Sequence, residues 1–260
     1  MRMASDFEIQ KSFSDVGIKK DDIVMIHGDA GVAAQFRGIS ADRQLEYLID
    51  QIKNYFNPAG TILVPAFSYS SPKNQSFNVK HTPSEVGLFS ECFRLGRDVK
   101  RSKHPIFSVS CWGKFGGDFL NGTNHDCFGS GTFFEMLLER NVKLVTLGCD
   151  LSRVTFVHHI EQMNQVSYRY LKSFSGKIID TDGEINLTTD YYVRDRTLKT
   201  NCNLRRLAII AEQKKILHIG SAGRFPLSVI SSLDFYTVAM KLLAEDEYSL
   251  IDEGVTNDEI

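Results

Sequence analysis

No stretch of this 260-residue chain approaches the roughly 20 consecutive apolar residues that a membrane span requires, so a transmembrane reading is excluded. Five cysteines, Cys92, Cys111, Cys127, Cys149 and Cys202, form no Cys-x-x-Cys pair. Scattered and odd in number, they argue for reduced thiols in a cytoplasm and against a disulfide. Neither sign of charge dominates: 30 Lys and Arg against 32 Asp and Glu leave a net charge of −2, so the basic pattern of a nucleic-acid binder is missing. The run Met1–Glu8 is polar and carries acids, so no signal peptide is expected there. Repeats, low-complexity tracts and Pro- or Ser-rich linkers are also lacking, which leads to the expectation of one domain over residues 1–260. A chain of this length can bury about 70–75% of its unfolded surface, enough for one sizeable core.

Two common catalytic scaffolds are absent too. Gly129-Ser130-Gly131 and Gly220-Ser221-Ala222-Gly223 both have the wrong spacing for a Gly-x-Ser-x-Gly elbow, and there is no Gly-x-x-x-x-Gly-Lys-Ser/Thr phosphate loop. Hydrolase and nucleotide-triphosphatase readings lose their main support.

The apolar pattern alternates between short runs and longer amphipathic ones. Ile23–Ile26, Thr61–Pro65, Leu144–Leu147 and Ile216–Ile219 are predicted strands. Asp42–Asn54, Glu85–Leu95, Phe133–Glu139 and Val229–Leu243 are predicted helices, with apolar residues three and four apart. Strand followed by helix, repeated, implies an α/β layered fold with helices on both faces of the sheet. Lys177–Arg194, with Asp182-Gly183 between extended segments, predicts an antiparallel hairpin, so the sheet is expected to be mixed. The acidic tail from Glu245 to Ile260 is expected to be a short helix and a frayed end.

The residue pattern richest in chemistry follows the run Lys143–Asp150. Thr155, His158 and Glu161 lie three apart where a loop enters a predicted helix, so they share one face. An imidazole takes a proton near neutral pH, and a carboxylate beside it fixes the tautomer and stabilises the cation. That pair suits activation of a nucleophile that arrives protonated. Capping and packing roles would produce the same residue types, and Thr155 suits a helix cap as well as a catalytic contact. A metal set of His158, His159 and Glu161, completed by His104 or Asp150, is a weaker reading, because the spacing is not His-Glu-x-x-His.

Further blocks occur in order: Asp22–Asp29 with His27, Gly28 and Asp29; Pro58–Ser68 with Gly-Thr-Ile-Leu-Val-Pro; Thr82–Gly87; Arg101-Ser102-Lys103-His104-Pro105-Ile-Phe107-Ser108; and Phe128–Thr132 with Gly129. With Thr155-x-x-His158-x-x-Glu161 and Tyr168-Arg169, this ordered set resembles the antibiotic N-acetyltransferase family, the aminoglycoside 3-N-acetyltransferases and their relatives, from about residue 20 to about residue 245. The chain departs from the family at Ala30, where His-x-Ser-Leu is usual, at Thr132-Phe133 in place of Ser-Pro, and at Val154 in place of Asn.

The resemblance implies an antibiotic N-acetyltransferase-like fold and transfer of an acyl group from acetyl-CoA, or another acyl-CoA, to an amine. His158 would be the base, Glu161 its orienting carboxylate, and Thr155 a donor to the thioester. No metal is needed. Arg101, Ser102, Lys103, His104, Pro105, Phe107 and Ser108 are expected to meet coenzyme A, as are His27, Gly28, Asp29, Gly129 and Thr132. Without the resemblance, a solvated turn is the better explanation of the basic block. Near-neutral charge, with cations such as Arg37, Lys73, Arg194 and Arg196, favours a nucleotide-linked amino sugar for surface polysaccharide over a polycationic aminoglycoside. Aminoglycoside 3-N-acetylation conferring antibiotic resistance is the runner-up, a coenzyme A hydrolase and an inactive coenzyme A-binding module are the further alternatives, and a homodimer is compatible with the sequence.

Overall fold

The structure, a computed structural model, describes residues 8–120, 126–198 and 200–252. Most of the segment on which the signal-peptide expectation rests, and the tail from Glu253 onward, lie outside the described residues.

In chain order the strands are β1 (Ile23–Gly28), β2 (Thr61–Pro65), β3 (Phe77–Asn78), β4 (Lys100–Arg101), β5 (Val109–Gly113), β6 (Lys143–Leu147), β7 (Arg169–Asp180), β8 (Gly183–Arg194), β9 (His218–Ala222) and β10 (Phe225–Ser231). The helices are α1 (Ile9–Asp15), α2 (Gln44–Phe56), α3 (Leu88–Arg94), α4 (Phe133–Glu139), α5 (Val157–Met163), α6 (Arg205–Gln213) and α7 (Ser232–Glu245). The described residues form a seven-stranded sheet in the order β4-β5-β2-β1-β6-β10-β9 and a three-stranded sheet β3-β7-β8. At the centre of the larger sheet β2, β1 and β6 run parallel, and their flanking neighbours run antiparallel. The expected mixed α/β sheet flanked by helices is the observed fold.

Alternation along the central strands divides the core into two layers. Val24, Ile26, Ile62, Val64, Val145 and Leu147 face α1, α2 and α3 through residues such as Phe13, Ile49, Phe56 and Phe89. Met25, Leu63 and Leu144 face α4 to α7 through Phe134, Ile160, Leu207 and Phe235. A strand covered on both faces has no polar side to show, which is why β2 reads as an unbroken apolar run and is buried at all five positions.

Several boundaries differ from the sequence expectation for local reasons. Val229–Ser231 belong to β10, paired with β6, and the helix starts only after Ser231, whose hydroxyl accepts the Asp234 N–H at 3.0 Å. Gly87, with φ of 110°, delays α3 until Leu88, so the predicted start at Glu85 is too early. Strand β9 begins at His218, two residues later than predicted. The hairpin starts at Arg169, well before Lys177, because much of β7 is exposed and its polar sequence hides the alternation.

Candidate active site

Three parallel strands deliver their carboxyl ends to one edge of the sheet, where an α/β fold forms its ligand crevice. β1 ends in His27 and Gly28, β2 leads into Phe67 and Tyr69, and β6 leads through Gly148 to Cys149. Together with Glu85–Leu88 and Ser152–Thr155 these segments line a cleft of about 680 Å³. Gly28 permits the close approach of α3, since a Cβ there would lie 2.6 Å from the Phe89 ring. Tyr69 holds a left-handed backbone with φ of 50°, unusual for a bulky residue, and its ring packs edge-on against Phe67 and Phe107.

Beside the cleft, α5 carries the pair. His158 Nδ1 lies 2.6 Å from Glu161 Oε2, and the Tyr168 hydroxyl donates to Glu161 Oε1 at 3.0 Å. Arg169 Nε lies 2.8 Å from Oε2, and a second guanidinium nitrogen lies 2.9 Å from His158 Nδ1. Nδ1 lies between a carboxylate, which only accepts, and a guanidinium, which only donates; the shorter 2.6 Å contact assigns the proton to Nδ1 and leaves the Nε2 lone pair of the neutral ring for chemistry. The His158 side chain is 21% exposed, whereas Glu161 is fully buried. Burial, and then the Arg169 charge, hold the His158 imidazole below its ordinary pKa against the pull of Glu161. Burial alone would raise the Glu161 carboxyl, but His158, Arg169 and Tyr168 outweigh it and hold it below the usual carboxylate range. At neutral pH the pair is therefore a neutral imidazole beside an ionised carboxylate.

Thr155 lies on the cleft wall two residues before α5, and its N–H approaches His27 Nε2 at a long 3.5 Å. The helix cap is Phe156, with no side-chain cap hydrogen bond, so Thr155 does not cap the helix. His158 and Glu161 are not part of the cleft lining; Thr155 is their link to it. His159, next along the helix, turns away: it stacks on Phe156 and its Nδ1 lies 2.5 Å from the Phe128 carbonyl. The set His158, His159 and Glu161 therefore does not converge.

His27, Gly28 and Asp29 do line the cleft as expected, with His27 buried and its pKa lowered to about 4 by that burial. The basic block is placed differently. Arg101 is buried, with its guanidinium donating to Ser108 Oγ and to the carbonyls of Val79, Thr82 and Ala66 while lying over the Phe77 ring. Burial pushes its pKa down to about 10. With four of its five N–H donors engaged by the fold and its side chain buried, Arg101 is placed as a cation that ties the fold together and does not line the cleft. Lys103 is held by Asp180 and Asp182 at the hairpin turn. Ser102 Oγ accepts the Val109 N–H, and Ser108 Oγ donates to the Ala66 carbonyl. His104 Nδ1 accepts the N–H groups of Ile106 and Phe107, and the Pro105 carbonyl accepts from Ser70. Phe107 is the hub of an aromatic cluster with Phe67, Phe128 and Tyr191.

Near Gly129 and Thr132 the local donors meet groups of the chain itself. The Gly131 N–H donates to Glu135 Oε2 at 2.6 Å, and Thr132 Oγ1 donates to the Gly129 carbonyl. Of the other cations considered, Lys73 pairs with Glu85 and Arg194 donates to Asn201. Sequence reasoning assigned no role to Tyr168, Arg169, Tyr69 or Arg153. The position of Tyr69 past the end of a parallel strand could have signalled it. Arg169 gave two signals, its place in the Tyr168-Arg169 block of the family resemblance and a charge opening a strand next to an aromatic.

Helices on both faces of a mixed sheet, with an imidazole–carboxylate pair opening a helix beside the crevice, define an α/β protein of the N-acetyltransferase fold. The chain belongs to the aminoglycoside 3-N-acetyltransferase family, whose model matches residues 25–244. It is 28% identical over 177 residues to the SPbeta prophage-derived aminoglycoside N(3')-acetyltransferase-like protein YokD of Bacillus subtilis strain 168. That alignment covers 59% of this chain and 63% of YokD, less than two-thirds of the relative's length. The YokD crystal structure superposes with a TM-score of 0.77 at 20% identity, covering 95% of this chain and 96% of YokD. AAC-VIa bound to sisomicin gives a TM-score of 0.77 at 18% identity, covering 93% and 98% of the two chains. AAC-IIIb in a binary complex with CoASH gives 0.76 at 17% identity, covering 93% and 97%. At these identities the superpositions establish the shared fold.

Proposed function

We propose that this chain transfers an acetyl or other short acyl group from coenzyme A to the amine of an amino sugar. One observation carries the reading: the 2.6 Å contact between His158 Nδ1 and Glu161, which leaves the Nε2 lone pair as the ring's base on a helix that starts two residues after Thr155 of the cleft wall. The amine nitrogen attacks the thioester carbonyl carbon while Nε2 takes its proton. As the carbon–sulfur bond breaks, the imidazolium returns that proton to the thiolate, and the products are the amide and free thiol. Glu161 orients the ring and stabilises its cation through this transfer. Thr155, on the cleft wall, is assigned to the thioester oxygen or sulfur. Arg153, exposed at the cleft rim, is the cation we assign to a coenzyme A phosphate in place of Arg101 and Lys103.

Two acceptor classes are compatible with the site. Asp29 and Glu85 on the cleft, together with the description of the family, favour a polycationic aminoglycoside. The near-neutral chain favours a nucleotide-linked amino sugar. A thiol-release screen crossing acetyl-CoA and longer acyl-CoAs with aminoglycosides, simple amino sugars and nucleotide-linked amino sugars tests the proposal. Release that depends on an amine is expected. Release without any amine would make the protein a hydrolase, and coenzyme A binding without release under every condition would make it a binding module.

A further inference from the structure

A fully buried carboxylate needs a cation, and for Glu161 that cation comes from outside its own helix. Arg169, the first residue of β7, has a side chain only 5% exposed, with Nε 2.8 Å from Glu161 Oε2. One terminal nitrogen lies 2.9 Å from His158 Nδ1, and the other donates to the Tyr192 carbonyl of β8 at 3.2 Å. With Tyr168 donating to Oε1 and the Arg169 guanidinium in ion-pair contact with Oε2, Glu161 is held at both oxygens beside the imidazole.

We propose that Arg169 is a positioning residue of the His158–Glu161 pair: it locks the carboxylate against Nδ1 and, as a fixed positive charge beside the ring, keeps the imidazole unprotonated until an amine delivers its proton. This deepens the acyl-transfer reading and rests on it. A guanidinium has donors and no acceptor, and it stays charged at any working pH. It therefore cannot replace Glu161 as a partner of Nδ1–H, and a second ring proton would set two like charges about 3 Å apart, the arrangement that disfavours protonation. A base must be free when the amine attacks and sheds its proton, and the same neighbour makes the imidazolium quick to hand that proton to the leaving thiolate. The groups facing His158 come from several elements. Glu161 shares α5 with it, Tyr168 and Arg169 stand at the start of β7, Arg194 on β8 adds a more distant positive charge, and the Phe128 ring packs edge-on. Only Glu161 among them favours the charged ring.

Ring-nitrogen NMR titration of His158 in the full chain, paired with steady-state kinetics, tests the assignment. Arg169→Met should raise the His158 pKa, whereas Glu161→Gln should lower it. Arg169→Met should also lower kcat by about 10–100-fold, the range found when a group orienting a functional imidazole is removed, with the KM for acyl-CoA nearly unchanged. Arg169→Lys, which keeps the charge but not the planar fork, should preserve the titration and fail to restore the rate. A merely structural arginine would move the unfolding midpoint and leave the ring titration alone. Should Arg169→Met fail to fold, the double variant Glu161→Gln/Arg169→Met leaves no unpaired charge, and its His158 must titrate above that of Glu161→Gln alone. A His158 pKa that stays put or falls on loss of Arg169, in either background, overturns the proposal. Because the titration needs no turnover, a parent protein that transfers no acyl group would refute the functional reading while the Arg169 assignment stood.

Discussion

Adjacent histidines on one helical turn have opposite surroundings, and the sequence string His158-His159 does not say which is which. His158 meets a carboxylate and retains some exposure, while His159 is buried, stacked on Phe156 and bonded to a carbonyl. The difference predicts a clean split. His158→Ala should lower kcat by about 10²–10⁴-fold with little change in coenzyme A affinity. His159→Ala should instead cost about 1–3 kcal/mol of stability, the usual penalty for stranding a buried polar partner, with kcat near that of the parent. Kinetics and urea unfolding on both variants read the two effects separately, and equal kinetic losses would mean that the wrong imidazole has been assigned. The pair was legible because three-residue spacing on a helix is a geometric statement. The fate of Arg101 was not: a cation beside Ser and His looks the same in sequence whether it meets a ligand or four partners of its own fold.

At the scale of elements, β6 and the turn after it set the cleft. Gly148 has φ of 80°, and a Cβ there would lie 2.6 Å from Val32 Cγ2 and 3.0 Å from Asp29 Cβ. Gly148→Ala should therefore cost about 1–3 kcal/mol and displace the Asp29 turn, raising the KM for acyl-CoA more than it lowers kcat. Thermal unfolding with initial rates checks this, and an unchanged KM in a destabilised variant would separate the Asp29 turn from substrate binding. The central strands were readable because they are covered on both faces and carry mainly apolar residues along their length. The second half of the fold was harder to read for the opposite reason. In β7 and β8, Leu171 and Ile185 are exposed beside lysines and threonines, so burial never imposes an alternating pattern. In β10, Val229 and Ile230 satisfy either a helix or a strand, and only pairing with Val145 and Leu144 decides the matter.

For the molecule as a whole, acidification should cost stability. His27 is buried, with its pKa lowered to about 4 from 6.5 by desolvation, and His104 is lowered to about 4 for the same first cause. Between those values the unfolded chain binds a proton that the native ring refuses, so stability is full above pH 6.5 and is lost as pH falls towards 4. For His27 the loss is about 3 kcal/mol, from roughly 1.4 kcal/mol per pKa unit. Urea unfolding at pH 7, 6 and 5 should show this decline, with a shallower slope in His27→Gln; equal slopes would locate the acid sensitivity elsewhere.

The seven residues of α5 are too few to hold a helix in water by themselves, yet this helix carries the pair. Its rigidity is borrowed. Arg169 from the hairpin grips Glu161, the Asp126 carboxylate accepts from Gln162, and the Phe128 carbonyl fixes His159. Residue 127 is in turn tied to the hairpin through its N–H on the Asp190 carbonyl. It follows that Thr-x-x-His-x-x-Glu is not a portable module. Grafted onto another helix it would carry the right side chains without their aim, whereas a silent-looking change in the hairpin, dozens of residues downstream, can spoil that aim in place.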